Sequence, residues 1–286
     1  MFITADLIKK RVHGLPSLPA SVLSLTEIAE DERSTMDDVY NVLGKDPVLS
    51  ASILRLANSP LYNVGNLVSD LRNAIQRLGM DAILNLARSV SIIRNYRSGE
   101  LLDIAHLWRH STAVGLVAKA ICKSLKNESF VETAFLAGLL HDIGKIVLDR
   151  CFVDEYSPVL KAVKEGEDEL EMEKKFMDIT HMEIGAHVAY DWKFPDNILE
   201  VIREHHIPKP GAFLPNLVYY SDLLVRVRFP NGPADKKIVL NLSNDQNFKD
   251  MVFGVSGSIP DIEYLTFKID DEVDHAIGFV QLAFMD

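Results

Sequence analysis

The sequence predicts an all-helical protein made of two packed helical lobes, the second of them carrying a set of histidines. Three observations point there. Apolar residues recur at three- and four-residue spacing in segment after segment, as amphipathic helices require. Residues that start and stop helices bracket those segments. Strand signals are scarce, because only K-I-V-L-N-L near Ile238 alternates and a lone strand has nothing to pair with.

Taken in order, the first segment reaches Gly14, and the prolines of L-P-S-L-P keep the chain extended until a helix begins near Ala20. Ser34 or Thr35 caps a short helix ending at Gly44. Asp46 and Pro47 pair an N-cap with proline at the first helical position, and this helix runs to Asn58 with Leu49, Ile53 and Leu56 on its core face. A polar loop continues to Ser69. Asp70 starts the next helix, with Leu71, Ala74, Ile75 and Leu78 on its apolar face and Gly79 closing it in a left-handed position. From a new cap at Asp81, a longer stripe of Ile83, Leu86, Ala87, Val90 and Ile93 runs to the polar N-Y-R-S-G-E. The boundary between lobes is placed there, giving an N-terminal lobe over 1–100 and a histidine-bearing lobe over 101–229. The remaining extension, 230–286, opens on the turn signal P-N-G-P. It ends in a helix capped by Asp270 or Asp271, with Val273, Ile277, Val280 and Phe284 as one stripe that reads as core or as a dimer seam.

The chemistry centres on V-E-T-A-F-L-A-G-L-L-H-D-I-G-K, residues 131–145. Val131, Phe135, Leu136, Leu139, Leu140 and Ile143 make its helix deeply buried, so His141 and Asp142 at its end need hydrogen bonds, charge partners or a metal. Adjacent helical residues diverge by about 100°. Both therefore reach one ion only where the helix stops, and Gly144 offers that ending. An H-D pair alone reads more simply as a satisfied histidine beside a capping aspartate. Five further positions shift the balance: His110 on the preceding helix, His181 opening the following one, His205 and His206 ending the next, and Asp222 on another apolar segment. Histidine and carboxylate are the ligand types for zinc, iron, manganese or nickel.

Composition sets limits on function. The 286 residues are 48% hydrophobic and 25% charged, ordinary values for a chain with a large core. A net charge of −11 disfavours a nucleic-acid surface, which must neutralise phosphates. The acidic run from Glu165 to Glu173 reads as the solvated face of a connecting helix or loop. Cys122 and Cys151 lack metal-site spacing and read as reduced core residues. Apolar runs break well before the ~18 residues that a membrane span needs, and the N-terminal residues show no secretory cleavage pattern. A cytoplasmic protein is expected, with no membrane partner.

The order H-x(30)-H-D-I-G-K, H-M-E-I-G, E-H-H and S-D resembles the HD superfamily of metal-dependent phosphohydrolases. L-P-S-L-P, D-P-V-L-S-A-S-I-L-R-L-A-N-S-P from Asp46, L-R-N-A-I-Q-R-L-G from Leu71, W-R-H-S around His110 and A-Y-D-W-K-F-P before E-H-H resemble, more narrowly, the HDOD domain of bacterial signalling proteins. Together these cover roughly residues 10–225. The resemblance implies that His110, His141, Asp142 and Asp222 form a minimal ligand set. It implies His181 and His205 or His206 as the extra ligands of two-metal relatives. Lys145 would steady a phosphate, or would serve equally as a helix-end cation; Asp142 and Lys145 are the candidate catalytic residues. Against turnover, HDOD domains generally are thought to have lost catalysis. The G-Y-P loop that follows H-H-E in cyclic-dinucleotide phosphodiesterases of the HD-GYP branch is replaced by Ile207, Pro208, Lys209, Pro210 and Gly211. The expectation is therefore a bacterial regulatory module that binds a divalent metal without fast catalysis, its partner a signalling protein or a small phosphorylated ligand. The alternatives are a phosphohydrolase acting on a nucleotide or cyclic dinucleotide, and a protein-interaction scaffold with structural histidines.

Overall fold

The computed structural model describes residues 5–12, 15, 19–31, 33–62, 67–230, 235, 238–242, 244–256 and 262–285. Its helices are, in order, α1 (Ala5–Val12), α2 (Ala20–Glu30), α3 (Met36–Leu43), α4 (Pro47–Ala57), α5 (Leu71–Leu78), α6 (Met80–Asn95), α7 (Ile104–Ser124) and α8 (Val131–Leu140). They continue as α9 (Ile143–Cys151), α10 (Val153–Lys164), α11 (Glu169–Met177), α12 (His181–Asp191), α13 (Asp196–Glu204), α14 (Phe213–Arg228), α15 (Gln246–Ser256) and α16 (Ile262–Phe284). Among the described residues there is no strand, and Ile238–Asn241 is irregular. Nor, among them, is any helix long and apolar enough to cross a membrane. Gly14, residues 16–18 of L-P-S-L-P, residues 231–233 of the P-N-G-P turn signal and the 236–237 lysine pair lie outside the described residues.

Side chains set many of the helix starts. Asp46, Asp70, Asp103 and Asp168 each accept a hydrogen bond from the backbone N–H three residues on, at 2.9–3.0 Å. Thr35 and Asp38 form a reciprocal capping box on α3, as Thr180 and Glu183 do on α12. Gly79 has φ 85° and ψ 164°, and it both ends α5 and precedes α6. Asp81 lies in the first turn of α6 rather than capping it, because the chain turns directly at Gly79.

The chain divides into two units, residues 16–97 with 274–286, and residues 1–15 with 98–273. In the first, α6 is the axis on which α2, α3, α4 and α5 pack. Ile83, Leu86, Val90 and Ile93 are fully buried along it. Each such side chain contributes about 1.5–3 kcal/mol relative to exposure. The end of α16 belongs to this unit: Arg55 donates to the Met285 carbonyl and the Arg97 guanidinium lies over the Phe284 ring. The second unit contains α1, where Arg11 donates to the Cys151 carbonyl and pairs with Glu155.

The tail differs from the sequence expectation in two respects. Asp270 and Asp271 lie inside α16, not at its start, and Asp270 is occupied by a bidentate pair with Arg228. The buried stripe is Val273, Ala276, Phe279, Val280 and Ala283, whereas Ile277 is 39% exposed. Val273 and Val280 are buried as expected, and the rest of the buried face is Ala276, Phe279 and Ala283 rather than Ile277 and Phe284.

In the second unit, α7 pairs along its length with α8, α14 packs on both, and α9 crosses α12. That last crossing corrects the role expected for Gly144. The buried helix stops at Leu140, His141 and Asp142 form the turn, and Gly144 lies in the first turn of α9. A methyl group there would collide with the main chain of His181, and the Gly185 nitrogen would lie 3.0 Å away. Gly144 is thus needed for close helix contact, and the turn before it splays His141 and Asp142 toward the same point.

Candidate metal centre

Every histidine and aspartate singled out from the sequence meets in the second unit. His110 comes from α7, His141 and Asp142 from the α8–α9 turn, His181 from the first position of α12, His205 and His206 from the end of α13, and Asp222 from α14. His141, His181 and His205 are fully buried, while Asp142, Asp222 and His110 are 4%, 3% and 7% exposed.

Asp142 is the hub. One carboxylate oxygen lies 3.3 Å from His181 Nε2 and 3.6 Å from His205 Nε2, and the other lies 3.4 Å from His141 Nε2 and 3.0 Å from Lys145 Nζ. Two donor groups share it: Asp142, His181, His205 and His206, and His110, His141 and Asp142, each with ligand atoms within 4.8 Å of one another. Asp222 adjoins the second group, with Oδ1 3.0 Å from His110 Nε2.

The rings are oriented from behind. His141 Nδ1 lies 2.6 Å from the Gly138 carbonyl, His205 Nδ1 3.1 Å from the Ile202 carbonyl, and His181 Nδ1 2.9 Å from both oxygens of Glu173. Oxygen acceptors call for N–H on each Nδ1, which leaves each Nε2 with a bare lone pair. His181 Nε2 nevertheless lies 3.4 Å from His205 Nε2 and 3.2 Å from His206 Nε2. The bare nitrogens of His181 and His205 repel unless a proton or a metal cation lies between them. His141 Nε2 and Asp142 Oδ1 are buried with no hydrogen-bond partner, a costly state that coordination relieves. Ligands at ~2.0–2.1 Å around a four-coordinate ion are about 3.3–3.4 Å apart. The donor set and its spacing fit a divalent metal.

Burial opposes the charge on His141 and His181, but Asp142 and Glu173 respectively raise both. Burial pushes His205 down to about 4 and His206 down too, the latter further lowered by the neighbouring histidines. Burial works against the charge of Asp142 as well, yet Lys145 and His141 hold it well below the usual carboxylate range. Asp222 is likewise held low, against burial, by His110 and Arg226.

Lys145 differs from the helix-end cation considered from sequence. It stands in the first turn of α9, where the helix dipole disfavours a cation, and carboxylates on two sides hold it: Asp142 at 3.0 Å and Glu169 at 2.9 Å. Glu169 and Glu173 are the residues that sequence reasoning missed. Both fall in the acidic run that reads as solvated, whereas Glu173 is fully buried and Glu169 half-buried. Their four-residue separation, which puts them on one face of α11 toward the histidines, was the available signal.

A cavity of about 300 Å³ adjoins the cluster, reached by His110, Asp142, Lys145, His206, Asp222 and Arg226. Leu102 and Asp103, also on its wall, follow a segment held by Asp149, whose carboxylate accepts from the N–H groups of Glu100, Leu101 and Leu102 at 2.7–2.8 Å. The loop after His206 is fixed by Asn216, which bonds both the N–H and the carbonyl of Lys209.

Known proteins are similar to this chain in sequence and fold. A curated relative from Treponema pallidum (strain Nichols), an uncharacterized protein, is 26% identical over 235 residues, which is 80% of this chain but 45% of that protein. The chain thus spans under half the length of that relative. A solved HDOD domain protein with unknown function from Geobacter sulfurreducens is 26% identical, with 98% of each chain covered and a TM-score of 0.81. A Shewanella amazonensis SB2B protein, provisionally designated a phosphohydrolase, is 25% identical over 98% of this chain and 99% of that one, with a TM-score of 0.76. The HDOD domain family model matches residues 15–208, two thirds of the sequence, and the chain belongs to the HDOD domain family.

Proposed function

We propose that this chain is a regulatory HDOD module whose histidine–aspartate cluster holds divalent metal and whose cavity receives a small phosphorylated ligand or a group from a signalling partner, without fast turnover. His110, His141, Asp142 and Asp222 would hold one ion, and Asp142, His181, His205 and His206 a second. Bound divalent metal supplies Lewis acidity and a more acidic water.

The observation that carries the reading is the state of the cavity's cations. Lys145 is bound between Asp142 and Glu169, and Arg226 between Asp222 and Asp235 at 3.2 and 2.7 Å. Asp103, Glu167 and Asp168 add further carboxylates to the wall. Phosphoryl transfer depends on cations aimed at charge developing on the phosphoryl oxygens. Here both the lysine and the arginine of the wall are already neutralised, so the protein itself offers little to a transition state, and a phosphorylated ligand would depend on the bound metal for its charge partner.

Hydrolysis of a nucleotide or cyclic dinucleotide is the second reading, favoured by the completeness of the donor set. The test is protein reconstituted with iron, manganese, zinc or nickel, incubated with linear and cyclic dinucleotides and nucleoside monophosphates while binding and phosphate-ester cleavage are followed. Binding without multiple turnovers is expected. Turnover of about 1 per second or faster that disappears in Asp142→Ala would replace the regulatory reading with the hydrolytic one.

A further inference from the structure

Glu173 stands behind the cluster rather than in it. Its side chain is fully buried on α11, its two oxygens lie 2.9 Å from His181 Nδ1, and Oε2 also accepts from the His181 backbone N–H at 2.9 Å. The other two rings oriented from behind rest on neutral carbonyls, those of Gly138 and Ile202. Of these three imidazoles, His181 alone is backed by a carboxylate. A buried carboxylate on the far nitrogen fixes the tautomer, fixes the ring plane and makes the near nitrogen a stronger donor. Of the two donor groups that share Asp142, His181 belongs to that of His205 and His206 and not to that of His110 and His141; it also stands in a third group, with Glu169 and Glu173, where its Nδ1 is the atom Glu173 engages.

We infer that Glu173 is a positioning residue that makes the two metal positions unequal, strengthening the one that contains His181 while leaving the one that contains His110 and His141 unaffected. This rests on the metal-centre reading above. Lys145 does not share the task, since its ammonium is directed to Glu169 and Asp142. The pair Glu169 and Glu173 thus divides two duties on one helical face: the first restrains the lysine, the second orients the histidine.

The test is a metal titration of the intact 286-residue chain with zinc or manganese, comparing wild type with Glu173→Gln. The variant keeps the side-chain volume and removes the charge. Two ions are expected on wild type, and in the variant one of them should bind about 10- to 100-fold more weakly while the other keeps its affinity. A brace with a purely structural role would lower metal-free stability without separating the two affinities, and that outcome overturns the inference. Equal affinities for both ions in wild type and variant do the same. Should the variant not fold, long-range proton–nitrogen spectra of zinc-loaded wild type decide: His181 must carry its proton on Nδ1, and a proton on Nε2 refutes the assignment. A wild type that takes up no metal removes the metal-centre reading and this inference together, whereas a two-metal wild type with an unaltered variant removes this inference alone.

Discussion

Gly144→Ala joins fold and site in one perturbation. The added methyl group would fall inside van der Waals contact of the His181 carbonyl oxygen, 2.7 Å from its carbonyl carbon and 3.0 Å from the Gly185 nitrogen. All three obstacles are backbone, so no rotamer change relieves them and α9 must move away from α12. Overpacking of this kind costs about 1–3 kcal/mol, and a backbone obstacle places it near 3. That corresponds to a drop in Tm of roughly 6–12 °C for a domain of this size. The same movement separates Asp142 and Lys145 from His181, so metal affinity should fall by about tenfold or more. Thermal unfolding with and without metal measures both effects. Gly254→Ala on α15 is the control, since a methyl there meets nothing within 4 Å and should be neutral or stabilising by up to about 1 kcal/mol. If Gly144→Ala matched that control in Tm and in metal uptake, the close helix crossing and its role in assembling the site would both be refuted.

Four other outcomes are expected. Gly79→Ala, at φ 85° and ψ 164° with open space around it, should cost about 1–3 kcal/mol through backbone strain alone; unchanged denaturant midpoints would contradict that conformation. Asp149→Asn removes the charge that collects three N–H groups and turns an amide toward one of them, so it should cost roughly 3 kcal/mol. It should also speed proteolysis near residues 97–102, and resistance equal to wild type would count against the anchor. Burial pushes the Cys122 thiol up to about 12, so the folded protein holds that proton where the unfolded chain releases it. The stability this group contributes is present below about pH 9 and lost toward pH 12; rapid alkylation of Cys122 in folded protein at pH 8 would refute its burial. Finally, Lys145→Met should weaken phosphate-ligand binding by less than about tenfold, since the ammonium is already committed; a hundredfold loss would show that it is free to bind ligand.

Much of this architecture was legible because its signals are local. Asp46 with Pro47, Thr35 with Asp38, and Asp70 each act within a turn of themselves, so the chain states its helix starts without tertiary context. The candidate site residues stood out for a different reason: His110, His141, Asp142, His181, His205, His206 and Asp222 fall at helix ends or on buried faces, where such residues are expensive. What was not legible depends on partners distant in sequence. Gly144 looks like a helix stop until the backbone of His181 lies against it. Glu173 looks solvated until α11 turns it toward His181. Asp270 reads as a cap until Arg228, 42 residues earlier, takes its carboxylate. Ile277 outweighs Ala276 in hydropathy, yet Ala276 is the one that fits inward.

The central claim is that the facing imidazoles and the unpartnered Asp142 and His141 atoms are a metal centre. Elemental analysis of the purified protein, before and after reconstitution with zinc, iron, manganese and nickel, tests it most directly. Divalent metal bound in stoichiometric amount, approaching two ions per chain and lost when Asp142 is replaced by alanine, is the expected result; near-zero metal that reconstitution does not change would contradict it.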